Sequence, residues 1–209
     1  ALGEETGFGT PELFDTWIDV LLTDYRLFAG ERAAETPHIV ITDFAGEGIE
    51  SEFSEFIRRM QGRGLRARIA DPRELTYRDN GLYAHNEKVD IVYRRATTAR
   101  VMAYYKEAQD FIRAYREGAV CVIGGFTSQI IHNKMIFKVL HDEDNADLFT
   151  GAERRFIRAH VPLTEVLSGE NMHKYMGEPS CWILKPFDQY GAHGIHMGRD
   201  MDAAAWRQA

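Results

Sequence analysis

Apolar residues recur at helical spacing through Leu13, Phe14, Trp17, Ile18, Leu21, Leu22, Tyr25 and Phe28, which predicts an N-terminal packing helix with a broad apolar face. Thr10 followed by Pro11 marks its start, and Gly30 its end. The run from Pro37 to Thr42 reads as a buried strand. Phe53, Phe56, Ile57 and Met60 then line one side of a helix stopped at Gly62 and Gly64, and residues 65–70 give a second strand. Strand, helix and strand joined by short links make a βαβ unit, so the sheet begins parallel.

Beyond it, residues 73–77 and 82–84 flank Asp79-Asn80-Gly81, the signature of a hairpin with a primed turn. The strand from Val89 to Arg95 comes next. Val101, Tyr104, Tyr105, Ala108, Phe111, Ile112 and Tyr115 then share the core-facing stripe of one long helix. Residues 119–123 form another strand. Gly124-Gly125-Phe126-Thr127-Ser128 leads into a helix carrying Ile130, Ile131, Met135, Ile136, Val139 and Leu140. The acidic run at residues 141–147 reads as a solvated loop and a domain boundary. A further amphipathic helix covers residues 151–161, and a polar connection fills 167–180. An apolar strand, Cys181-Trp182-Ile183-Leu184, ends in Lys185. A glycine-bearing turn, a second strand and the start of a helix at residues 201–209 follow. The fold class is α/β, a mainly parallel sheet with a hairpin insert, which the family resemblance given below makes Rossmann-like. The division is an N-terminal helix over 1–36, the sheet domain over 37–145, and a connecting helix with the opening of another domain over 146–209.

Composition narrows the function. With 209 residues, 44% of them hydrophobic, the chain can bury one good core. A net charge of −7 argues against a nucleic-acid partner. No apolar run is long enough to span a membrane, and no leader pattern opens the chain. Cys121 and Cys181 both fall in strand-like runs and read as buried, reduced thiols, which fits the cytoplasm. The histidines, including His132, His160, His173, His193 and His196, show no metal-ligand spacing, so no metal site is expected from them.

The stretch richest in chemistry runs from Lys185 through Pro186, Asp188, Tyr190, Gly191, Ala192, His193 and Gly194. Glycines there let the backbone approach a ligand, and successive N–H groups in such a turn make an anion-binding concavity. Lys185 adds a point charge suited to phosphate; the alternative is a plain hairpin with a surface lysine. Asp188 in the same loop would cap the turn through its own backbone. Arg94 and Arg95 close the strand at residues 89–95, where an open α/β sheet keeps its ligand crevice. Each guanidinium can grip a carboxylate or phosphate, or pair with a structural carboxylate. Lys134 follows a helix start that favours anions and is either a second phosphate ligand or a surface lysine.

This string resembles the ATP-grasp superfamily, and more specifically its circularly permuted, glutathionylspermidine-synthase-like branch. Lys185, Pro186, Asp188, Tyr190, Gly191 and Gly194 match the branch's glycine-loop string, with Ala192 in place of a glycine and His193 in place of a lysine. Asp90 to Arg95 and His132-Asn133-Lys134 match two further strings of its Rossmann-like domain. The resemblance implies a pre-ATP-grasp domain plus the start of an ATP-grasp domain, cut before its adenine-reading hinge and magnesium carboxylates. ATP would be held by Lys134, Lys185 and residues 190–194, and Mg²⁺ by ligands outside this chain. The parent would be a carboxylate–amine or carboxylate–thiol ligase working through an acyl phosphate, with Arg94 and Arg95 on a small carboxylate substrate. The excised piece would be inactive alone and would face a missing C-terminal domain or another subunit. The alternative is an α/β binding or scaffold domain without turnover.

Overall fold

The computed structural model describes residues 12–189 and 191–209, and the helix start at Thr10 and Pro11 lies outside them. The chain divides into two compact units, the first running to Phe126 and the second from Thr127 to the end.

The first unit is built on a four-stranded, wholly parallel sheet. Its strands are His38–Thr42 (β1), Arg66–Ala70 (β2), Ile91–Arg94 (β6) and Cys121–Ile123 (β7), in the order β2-β1-β6-β7. Period-two alternation assigns the two faces. Ile39, Ile41, Ile91, Tyr93 and Cys121 pack with Ile18, Leu21, Leu22 and Tyr25 of helix Phe14–Ala29 (α1) and with Phe53, Phe56 and Met60 of helix Glu50–Gly62 (α2). Val40, Val92 and Val120 turn the other way, onto Phe111, Ala114, Leu75, Leu82 and Val89. The sheet is therefore covered on both faces, which is why β1, β6 and β7 read as nearly continuous apolar runs, while the edge strand β2 alternates with arginines. Each fully buried aliphatic side chain contributes about 1.5–3 kcal/mol.

The insert between β2 and β6 carries three antiparallel strands where the sequence promised a two-stranded hairpin: Thr76–Arg78 (β3), Gly81–Ala84 (β4) and Glu87–Val89 (β5). Both connections are two-residue loops with positive φ throughout, Asp79 and Asn80 at 48° and 54°, then His85 and Asn86 at 46° and 67°. That is the primed geometry whose twist matches the strands, and Asn and Asp tolerate it better than most residues do. Asp90 ends the insert. Its carboxylate accepts the His38 N–H at 2.8 Å, and its own N–H donates to the His38 carbonyl. The strand read as running from Val89 to Arg95 is thus broken, and its two halves belong to different sheets.

The long helix expected after Arg95 is also two pieces, Thr98–Ala103 (α3) and Gln109–Arg116 (α4). Val101, Ala108 and Phe111 stay buried as the stripe required. The intervening turns seat Tyr104 against Phe44, with ring centroids 5.0 Å apart.

The second unit contains Gln129–His132 (α5), Met135–His141 (α6), Gly151–His160 (α7), His173–Met176 (α8), the two-stranded pair Ile183–Leu184 (β8) and His196–Met197 (β9), and Ala203–Gln208 (α9). The α7 helix opens with a full capping box between Thr150 and Glu153. The acidic run forms a 3-10 helix, Glu143–Leu148, inside this unit, so the units divide earlier than residue 145. A small core unites Tyr175, Trp182 and Trp206: the first two rings meet edge-on at 4.9 Å, and the Trp206 indole donates to the Tyr175 carbonyl at 3.0 Å. Gly198 passes so close to Pro179 that a Cβ there would lie 2.0 Å from its carbonyl oxygen. Cys121 is buried, and burial pushes its thiol up to about 11. Cys181 is exposed and lies in a 3-10 turn, contrary to the strand placement read from its apolar neighbours. Among the described residues no helix is long and apolar enough to cross a membrane.

Candidate functional site

Strand order places one candidate region in the first unit. β1 is followed on one side by β2 and on the other by β6, so the strand order reverses between β1 and β6, and the carboxyl ends of those parallel strands flank the opening. Arg94 and Arg95 stand there. The Arg94 guanidinium donates to the carbonyls of Ala96 (2.7 Å), Gly124 and Gly125 and to the Thr98 hydroxyl, and it lies 4.8 Å over the Phe126 ring. It braces the loop after β7. Arg95 pairs with Glu52 of α2 at 2.9 Å and remains partly open to solvent. Of the two arginines expected to meet a substrate, Arg95 is the more accessible.

Asp43, the first residue after β1, was not singled out by sequence. It shares this edge, and burial raises its carboxyl above the usual range against the opposing Phe44 N–H. A position directly after a buried parallel strand was the signal that could have found it. An open polar groove of about 580 Å³ runs along α4 between Tyr105 and Glu117, but its Arg113 and Glu117 already pair at 2.8 Å.

The second region is the glycine hairpin. Ile183 pairs with Met197 and Leu184 with His196, and the Gly198 N–H adds a bond to the Trp182 carbonyl, so a short antiparallel ladder presents the described residues between Lys185 and Ile195 as its tip. Lys185 is exposed at the end of β8. Residues 191–194 form a turn in which Gly191, Ala192 and Gly194 all take positive φ, at 59°, 60° and 68°. Gly194 is also a packing requirement, because a Cβ there would sit 2.8 Å from the Pro186 ring. Ala192 adopts, without a glycine's freedom, the left-handed conformation that costs an ordinary residue about 1–2 kcal/mol. Tyr190 lies outside the described residues. His193 is exposed on the turn, and His196 belongs to β9.

The expected helix after Ser128 breaks in two where this hairpin docks. The Lys134 N–H donates to the Phe187 carbonyl at 3.0 Å instead of continuing the helix, and the Lys134 ammonium donates to the Gln189 carbonyl at 3.1 Å. Asn133 restarts the next helix by accepting the Met135 N–H at 2.9 Å. Between these contacts, Asp188 Oδ1 accepts from the Gln129 amide at 2.7 Å and lies 3.2 Å from His132 Nε2. Asp188 therefore binds another segment rather than capping its own turn. Two stretches separated by more than fifty positions, Gln129 to Lys134 and Phe187 to Gln189, thus meet on one surface. Among the described residues, no three histidine, cysteine or acidic side chains converge as a metal site.

A scan against models of known protein families finds no match, and no curated protein matches the sequence.

Chemically, the tip offers an exposed ammonium and a turn of left-handed residues whose N–H groups can face an anion. A second lysine lies beside it, held by the same loop. Such an arrangement suits phosphate, which is recognised by charge and backbone donors with little need for side-chain shape.

Proposed function

We propose that this chain is part of an ATP-grasp ligase of the circularly permuted, glutathionylspermidine-synthase-like kind, its glycine hairpin holding the phosphates of ATP. Lys185 and the N–H groups of residues 191–194 bind the phosphates, and Lys134 adds charge from the docked helix. The sheet unit is then the Rossmann-like pre-ATP-grasp domain, and Arg95 the side chain at its carboxyl edge best placed for a small carboxylate. In such a ligase the carboxylate would attack the γ-phosphate, and an amine or thiol would take the acyl group. The protein's share is positioning and charge neutralisation. Magnesium would neutralise phosphate charge when bound, with carboxylates beyond these residues as its ligands.

One observation carries this reading: the two strings most like that family, far apart in sequence, meet on one surface around a left-handed turn. The strained Ala192 favours the second reading, a binding domain that keeps the loop without turnover.

Calorimetric titration of Mg-ATP into the wild-type protein and Lys185→Ala tests the assignment. Wild-type binding weakened about tenfold or more in the variant, a loss of at least ~1.4 kcal/mol, is the expected result for a charge-assisted phosphate contact. Equal binding by both removes Lys185 from the site.

A further inference from the structure

Three consecutive residues leading into the phosphate turn are each held by a different group of one short segment. The Phe187 carbonyl takes the Lys134 N–H, the Asp188 carboxylate takes the Gln129 amide and faces His132, and the Gln189 carbonyl takes the Lys134 ammonium. Asp188 is the central member and the only acidic one. An uncompensated carboxylate beside a phosphate site lowers affinity for an anion. Here Oδ1 accepts from the Gln129 amide and lies 3.2 Å from His132 Nε2, so the carboxylate is not left uncompensated.

We infer that Asp188, with Gln129 and His132, is a positioning latch that sets the conformation of the 191–194 turn and thereby its affinity for phosphate. The phosphate half of this inference rests on the proposed function; the conformational half does not. The turn contains Ala192 at φ 60°, a conformation that an alanine keeps only where its surroundings over-determine it. On the far side, among the described residues, the ladder offers the two-residue strands β8 and β9, the Gly198–Trp182 bond, the Ile195 N–H bond to the Ala192 carbonyl at 3.3 Å and the Pro186–Gly194 contact. On the near side, the latch supplies a second, independent constraint. Preorganising the turn lets a ligand bind without ordering it at the moment of contact.

The experiment measures amide hydrogen exchange at residues 191–194 and the affinity for ATP by NMR titration, in wild type, Asp188→Ala, Asp188→Asn and Gln129→Ala/Asp188→Ala. Loss of the latch is expected to speed exchange at the turn, and to weaken ATP binding, about tenfold each, the equivalent of one hydrogen bond to a charged group. The amides of the first unit keep their protection. Asp188→Asn, which retains the acceptor for Gln129, recovers part of both effects. Gln129→Ala adds little once Asp188 is gone, because the two act as a pair. Unchanged exchange in Asp188→Ala overturns the latch, whether or not nucleotide binds. Faster exchange with no ATP binding by wild type overturns the phosphate reading and leaves the latch standing.

Discussion

The two units solve the problem of stability in different ways. The first buries a sheet between two apolar layers, and almost every fully buried aliphatic and aromatic side chain belongs to it. In the second, the buried apolar residues among those described are Ile157, Tyr175 and Trp206, while Ile130 and Ile131 on α5 are 74% and 73% exposed. Its order rests on a few specific devices: the Thr150–Glu153 capping box, the Asp202 cap of α9, the indole bond to Tyr175 and the close pass of Gly198 over Pro179. A structure held by a few specific contacts opens more readily than a covered parallel sheet, which is a rigid platform. Candidate chemistry divides accordingly, with a crevice fixed by the core at the sheet edge and a hairpin in the second unit that depends on a few polar contacts for its shape.

The largest expected effect would separate the two kinds of stability. Ile41→Ala, in the middle of the sheet, is expected to cost the first unit about 2–5 kcal/mol in urea unfolding. Ile130→Ser, on the exposed face of α5, should change stability by less than about 0.5 kcal/mol. Comparable losses from both would mean that the exposed face of α5 is packed in solution.

A gentler test uses pH. His38 is fully buried in β1, with Nδ1 2.9 Å from the Lys88 carbonyl and 3.9 Å from Glu87, and Arg66 and Arg68 lie nearby. Burial lowers its pKa below the ordinary 6.5, opposed in part by the Lys88 carbonyl and Glu87. Because the unfolded chain takes up the proton first, His38 leaves the first unit most stable above pH 6.5 and weakens it as the pH falls below that value. Urea midpoints between pH 7.5 and 5 should show this slope in wild type and a shallower one in His38→Gln. A slope unchanged by the substitution would assign it to other groups.

The smallest effect lies at the turn. Ala192→Gly relieves left-handed strain of about 1–2 kcal/mol but frees the unfolded chain by roughly 0.5–1, leaving a net gain of under about 1.5 kcal/mol. Thermal unfolding of the second unit should move slightly upward. A downward shift would show that the turn is not strained at Ala192.

Much of the first unit was legible because burial on both faces of a sheet writes itself into apolar runs and helical stripes. β1, α2, β2 and β7 fall where the periodicity put them. Periodicity could not show the break at Asp90, the interruption after Ala103 or the split at Asn133, because each depends on a hydrogen bond or ring contact with a distant segment. In the second unit the apolar pattern misled, promising one helix through residues 130–140 and a buried Cys181. The glycine string, by contrast, was legible: positive φ at Gly191 and Gly194 is what those glycines promise, and Ala192 shares it. Arg94 could not be assigned from sequence, since three of the groups it donates to are backbone carbonyls that leave no trace in residue identity.

The most direct measurement is a map of which backbone amides respond when ATP is titrated to millimolar concentration into the isotope-labelled protein. Shifts confined to Lys185, residues 191–194 and Lys134, and lost in Lys185→Ala, are the result predicted here. Shifts centred on the edge at Asp43 and Arg95, or none anywhere, would contradict the assignment of the glycine hairpin as the phosphate site.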